Sequence, residues 1–104
     1  MIGVARNPGP SSNGFTFFTN HAHVLFLIAR ESDVRMRELA IEVGITERAV
    51  QRIVEDLTAS GYLLVTKEGR RNHYQTQGTQ PLRHAVEAHR NIGELIRFIY
   101  PDLP

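Results

Sequence analysis

The segment 37–57 places a small residue, a glycine and an aliphatic residue at fixed intervals. Ala40 is followed four residues later by Gly44, and Val50 follows six residues after that. This order suits a short helix, a tight turn at a residue with positive φ, and a second helix that crosses close to Ala40. We therefore predict a helix-turn-helix, in which Val50 and Ile53 fill the angle between the two helices.

The rest of the sequence predicts a mainly α chain with one small hairpin. Helical segments show apolar residues at spacings of three and four, whereas the hairpin shows alternation around a turn at Gly69. We call the hairpin, residues 62–76, the wing. The predicted elements, in chain order, are a helix from 19–20 to 30, a possible short strand at 34–36, helices at 37–43 and 46–60, strands at 62–66 and 72–76, and a helix at 82–100.

The last predicted helix, 82–100, has the most regular pattern in the chain. Its apolar residues form one stripe, and charged residues of alternating sign form another. An apolar face of this length exceeds what a small core needs, and soluble monomers avoid exposing one. We therefore expect a homodimer in which the first and last helices of two copies pack together. Gly93 lies within the stripe and predicts close approach of another helix.

Length and composition limit the remaining possibilities. The chain has 104 residues, with residues 1–14, rich in Gly, Pro and Ser, predicted to be a flexible tail, and residues 15–104 a single domain. No apolar run is long enough to cross a membrane and no secretory signal is visible, so we expect a cytoplasmic protein. The absence of cysteine excludes disulfides and cysteine-based zinc sites. The net charge of +1 by itself favours no partner.

The helix over 46–60 presents polar residues opposite its apolar side. Arg48 and Arg52 are like charges one turn apart, an arrangement that phosphates or guanine edges would stabilise. Gln51 can contact adenine through two hydrogen bonds, and the Thr46 hydroxyl suits a phosphate. The alternative is that Arg52 pairs with Glu55 or Asp56 and that Arg48 is only solvated. The candidate DNA-binding residues, on this helix and on the wing, are Thr46, Arg48, Gln51, Arg52, Lys67, Arg70 and Arg71.

Residues 20–75 resemble the winged helix-turn-helix domain of bacterial transcription regulators of the MarR and ArsR type. The resemblance rests on LAIEVGITERAVQRIVEDLTASGYL and on the following VTKEGRRNHYQ. It implies a homodimeric regulator that binds double-stranded DNA at specific sequences. The helix over 46–60 would enter the major groove, and the wing would contact the backbone or the minor groove. The chain lacks the cysteine-containing metal box of ArsR proteins.

Two other functions fit the same fold. A winged helix can serve as a protein–protein interaction adaptor that never contacts DNA. It can also act as a metal-responsive DNA-binding sensor, for which His84, Glu87 and His89 are candidate ligands, although a spacing of five places the two histidines on different sides of a helix. The sequence contains no recognisable nucleophile, base and acid set and no phosphate-binding glycine loop. We therefore expect no enzyme activity, no cofactor and no resident metal.

Overall fold

The computed structural model describes residues 14–103 as four helices and one hairpin. The predicted tail, 1–14, lies outside these residues except for Gly14. The elements are α1 (Asn20–Arg30), α2 (Met36–Val43), α3 (Glu47–Ala59), β1 (Leu63–Glu68), β2 (Arg71–Thr76) and α4 (Ile92–Ile99). α1, α2 and α3 pack on one another, β1 contacts α3, and α4 packs against α1.

The predicted turn between α2 and α3 is confirmed. Gly44 has a φ of 84°, and its N–H donates to the carbonyl oxygen of Ala40 at 2.9 Å. The Thr46 hydroxyl then accepts a hydrogen bond from the N–H of Ala49 at 3.0 Å and starts α3. Ala40 and Val50 are buried where the two helices meet. A residue with a side chain at position 44 would be strained by the positive φ, which fixes where the chain turns.

The core lies beneath the three N-terminal helices and the base of the wing. α1 and α3 each contribute four buried side chains, which gives short helices the tertiary packing that they need for stability. The buried hydrophobic residues are Val24, Leu25, Phe26, Ile28, Val34, Leu39, Ala40, Val50, Ile53, Val54, Leu57, Tyr62, Leu63, Tyr74 and Ile92. Phe18 packs edge-on against Phe26, so the segment before α1 also contacts the core.

The wing is an antiparallel pair that is slightly longer than predicted. Its register runs from Leu63 opposite Thr76 to Glu68 opposite Arg71, with Gly69 in the turn at a φ of 63°. β2 is tied to the turn between α1 and α2, because the N–H of Tyr74 donates to the carbonyl oxygen of Ser32 at 2.8 Å.

The possible strand at 34–36 is not formed. Arg35 is the N-cap of α2, and its N–H donates to the carboxylate of Glu38 at 3.0 Å. Met36 is already helical. The alternation of Val34 and Met36 therefore reflects one buried residue in the loop and one half-buried residue in the first turn of a helix.

The predicted long helix over 82–100 is wrong, because only Ile92–Ile99 is helical. The chain before it folds back on itself: the N–H of Leu82 donates to the carbonyl oxygen of Arg90 at 2.8 Å, and Pro81 bridges to Asn91. The hydroxyl of Tyr62, whose pKa is raised by burial, anchors this segment by donating to the carbonyl oxygen of Pro81 at 2.7 Å. These contacts use backbone groups that a continuous helix would need for itself.

A capping box sets the start of α4. The side chain of Asn91 accepts from the N–H of Glu94 at 2.8 Å, and the carboxylate of Glu94 accepts from the N–H of Asn91 at 3.0 Å. The backbone N–H of Asn91 and the Arg90 guanidinium lower the pKa of Glu94. This reciprocal pair satisfies free N–H groups at a new helix start and favours Ile92 as the first helical residue.

Gly93 makes a close approach as predicted, but its neighbour is a loop and not another helix. Its N–H donates to the carbonyl oxygen of Gly78 at 2.9 Å. A Cβ at position 93 would lie 2.9 Å from that oxygen and 3.1 Å from the Cα of Gly78. Both neighbours are backbone atoms, so the loop itself would have to move to accept a side chain.

Gly93→Ala is expected to lower the free energy of unfolding by about 1–3 kcal/mol, the usual cost of overpacking. The matched control is Gly78→Ala at the same contact, where a Cβ would meet Gly93 at 3.4 Å, an ordinary contact distance. Chemical denaturation followed by circular dichroism measures both variants. A Gly93→Ala variant as stable as Gly78→Ala would show that the loop yields without cost.

Candidate nucleic-acid interface

The outer face of α3 carries the polar residues that the sequence analysis selected. Val50, Ile53, Val54 and Leu57 are buried on the inner face of this helix. The side chains that point away from the core are Arg48, Gln51, Arg52 and Glu55, and all four are exposed. The buried aliphatic ridge thus fixes the rotation of α3 and directs the two guanidinium groups outward.

Neither guanidinium of this helix is paired with an acid among residues 14–103. The alternative pairing of Arg52 with Asp56 is not formed, because Asp56 instead contacts His21, with 2.9 Å between Oδ2 and Nε2. Glu55 is exposed and makes no ion pair with Arg52. Arg48 and Arg52 therefore keep their donors available to an external anion.

Thr46 caps α3, as expected from its place before the helix, and it is also a candidate phosphate contact. Its hydroxyl oxygen accepts the N–H of Ala49 and completes the cap of α3. The hydroxyl proton is still available to donate, because a hydroxyl has one donor and two acceptor positions. A phosphate oxygen at the start of α3 could accept that proton without disturbing the cap.

The wing places its cations at and beside the turn. Lys67, Arg70 and Arg71 are all exposed. Arg71 approaches Asp33 in the turn between α1 and α2, with 4.0 Å between Nη1 and Oδ2. This distance is at the outer limit of an ion pair, and exposed pairs of this kind contribute little to stability.

The structure adds a cleft that the sequence analysis missed. It has a volume of about 370 Å³ and lies between the α1–α2 turn and the wing. The residues around it are Asp33, Val34, Arg35, Met36, Arg70, Arg71, Asn72 and Tyr74. Arg35 and Arg70 are far apart in sequence but line the same cleft, where the hydrogen bond between Tyr74 and Ser32 joins the wing to the α1–α2 turn. A single sequence contains no signal for that pairing.

A second cleft lies between α1, the end of α3 and α4. Its volume is larger, about 810 Å³, and its lining is mainly apolar. Phe17, Leu25, Leu57 and Leu95 are among its lining residues, and Arg83 and Glu87 lie at its edge. Two of these helices, α1 and α4, lie within the segments 19–30 and 82–100 that the sequence analysis assigned to dimerisation.

The histidines among residues 14–103 belong to no group of metal ligands. Within the part of the chain that the structure describes, no three His, Asp or Glu side chains are grouped so that they could hold a metal ion. His84 lies in a turn, where its Nδ1 accepts the N–H of Val86 at 3.0 Å.

No helix among residues 14–103 has both the length and the apolar composition needed to span a membrane.

Comparison with known families agrees with this geometry. Residues 19–63 match the family model described as winged helix-turn-helix DNA-binding. No curated protein matches the chain. The winged helix-turn-helix match covers α1, α2 and α3 and ends at the first residue of β1. The mainly helical fold with one antiparallel hairpin agrees with it, although most of the wing and all of α4 lie outside the matched residues.

Proposed function

We propose that this chain is a homodimeric transcriptional regulator of the MarR/ArsR type that binds double-stranded DNA at specific sequences. The observation that carries the proposal is the outward pair Arg48 and Arg52 on a helix whose other side is locked into the core. Two guanidinium groups one turn apart fit the major groove, where arginine donates two hydrogen bonds to guanine. In this proposal α3 is the recognition helix, and Gln51 contacts a base between the two arginines.

The other predicted residues position the protein on the backbone. Thr46, Lys67, Arg70 and Arg71 donate to phosphates, which supply affinity and carry no sequence information. Their exposure and their placement on two different elements support this division. The chain has a net charge of +1, and five of its twelve Lys and Arg residues lie on α3 and the wing. A local group of cations can bind a polyanion even where the net charge is small. An interaction adaptor would have no need for exposed cations at these positions.

A second copy of the chain is the proposed occupant of the apolar cleft between α1 and α4. Phe17 and Leu95 line that cleft, and Phe98 lies one turn beyond Leu95 on α4. Phe17 is 94% exposed and Phe98 is 78% exposed in the single chain. Apolar side chains grouped in this way mark an interaction surface. Two copies joined there give two recognition helices for a two-fold DNA site, with half-sites about 34 Å apart.

The salt dependence of duplex binding tests the role of the wing. Each phosphate contact contributes about −0.9 to the slope of log K against log salt concentration. We expect Arg70→Ala and Arg71→Ala each to weaken binding to every duplex and to flatten the slope by about 1. Fluorescence anisotropy from about 50 to 200 mM salt, the range in which such contacts are most visible, measures both quantities.

The matched control is Arg97→Ala, which removes one exposed cation from α4. Its slope should equal that of the wild type. A slope unchanged in the wing variants would remove the wing from the interface, and a wild-type chain that binds no duplex at low salt would overturn the proposed function.

A further inference from the structure

The cleft between the α1–α2 turn and the wing brings three guanidinium groups to one place. Arg35 comes from the start of α2, and Arg70 and Arg71 come from the wing. The walls are held in position by the hydrogen bond from Tyr74 to Ser32, 2.8 Å long, and by the burial of Val34 and Tyr74. The three guanidinium groups therefore belong to one cleft although they come from two segments of the chain.

Among the residues around the cleft, Asp33 is the one with a carboxylate. Outside this set, Glu38 accepts the backbone N–H of Arg35, and Glu68 lies opposite Arg71 in the wing. Asp33 lies 4.0 Å from Arg71, and both side chains are about half exposed. Among residues 14–103, Arg35 and Arg70 have no ion-pair partner. The cleft thus has an excess of positive charge. Its planar guanidinium groups can donate several hydrogen bonds to a phosphate, whereas Asp33 engages one of them and only at a long distance.

We propose that this cleft binds one phosphodiester of the DNA backbone, with Arg35, Arg70 and Arg71 as its donors. The inference rests on the proposed function, since it assigns an additional contact to the same interface. Arg35 becomes a DNA-binding residue that the sequence analysis did not select. Asp33 holds Arg71 in the free protein and repels the phosphate, so it limits the affinity for DNA.

Replacing Asp33 tests the proposal distinctively, because the substitution is expected to raise the affinity for DNA. Asp33→Asn is expected to tighten binding to any duplex by about three- to tenfold at moderate salt, since a negative charge next to the phosphate is removed. Arg35→Ala is expected to weaken binding and to flatten the salt slope by about 1. In the Arg71→Ala background the gain in affinity from Asp33→Asn should be smaller, because release of Arg71 no longer contributes and only the direct repulsion between Asp33 and the phosphate is removed.

The control for a simple change in net charge is Asp102→Asn, which removes one exposed carboxylate beyond α4. Anisotropy with one duplex at several salt concentrations compares all variants, and circular dichroism confirms that each is folded. The phosphate site is wrong if Asp33→Asn raises the affinity for the duplex no more than Asp102→Asn does. It is also wrong if Arg35→Ala keeps the salt dependence of the wild type. Duplex binding that remains sensitive to Arg52→Ala would then leave the proposed function standing.

A second arm separates the DNA backbone from a free anion. Inorganic phosphate is titrated while the guanidinium Nε–H signals of Arg35 and Arg71 are followed by NMR. We expect no saturation below about 1 mM, because one phosphate alone offers few contacts. Saturation below that concentration would assign the cleft to a free anion and overturn the assignment to the duplex.

Discussion

Replacing Arg48 and Arg52 together with alanine is expected to lower the affinity for a preferred duplex by at least about thirtyfold. A good contact between arginine and a base contributes about 1–3 kcal/mol, so two contacts account for 2 kcal/mol or more. Both side chains are exposed and unpaired with acids among residues 14–103, so the fold does not depend on them. Removal of two like charges one turn apart should leave the melting temperature unchanged or slightly higher.

Two further variants interpret that result. Arg97→Ala, on the exposed side of α4, shows what the loss of one distant cation does. Arg52→Lys keeps the charge but loses the planar fork, so it should retain binding at low salt and lose discrimination between sequences. A double variant that binds the preferred duplex as tightly as Arg97→Ala does would contradict the assignment of α3 as the recognition helix.

Phe98→Glu is expected to convert the proposed dimer into a monomer. Phe98 lies one turn from Leu95, which lines the cleft. An aromatic side chain that becomes buried in an interface can contribute 2 kcal/mol or more, and a buried carboxylate without a partner adds a further cost. The dissociation constant of the dimer should therefore rise by at least about thirtyfold. Sedimentation velocity over a range of protein concentrations measures the change.

The matched control is Ile41→Glu, which introduces the same charge at another exposed apolar residue. Ile41 is 71% exposed on α2, outside the cleft between α1 and α4. The Ile41→Glu variant should therefore remain a dimer. The dimer surface would be wrong if the wild-type chain sediments as a monomer at high concentration, or if Ile41→Glu dissociates it and Phe98→Glu does not. The monomeric variant should also lose affinity for a two-fold site, because each copy then presents a single recognition helix and the two half-sites are no longer bound together.

The helix-turn-helix could be predicted because its determinants are local. Gly44 needs a positive φ, Thr46 caps the following helix, and the residues that pack at the turn follow at helical spacing. The outward direction of Arg48 and Arg52 follows from the same periodicity, since the buried and exposed sides of one helix are complementary. The exposed wing cations could be predicted for a similar reason, because Gly69 marks the turn beside which they lie.

The C-terminal prediction failed because two segments share one apparent period. Residues 82–91 and 92–99 continue the same apolar spacing, but the first segment is held by the bond between Leu82 and Arg90 and by the hydroxyl of Tyr62. The capping box of Asn91 and Glu94 was a local signal for a new helix start, and the periodicity concealed it. The role proposed for Arg35 could not be predicted either, because only the tertiary contact of β2 with the α1–α2 turn brings Arg35 near the wing.

An NMR titration with duplex DNA tests the central claim most directly. The claim is that the outer face of α3 meets the double helix, so the guanidinium Nε–H signals of Arg48 and Arg52 should shift with the added duplex. The signals of Arg90, just before α4, and of Arg97, on α4, should stay in place. Shifts confined to Arg90 and Arg97, or no shift at Arg48 and Arg52 at a saturating duplex concentration, would contradict the account.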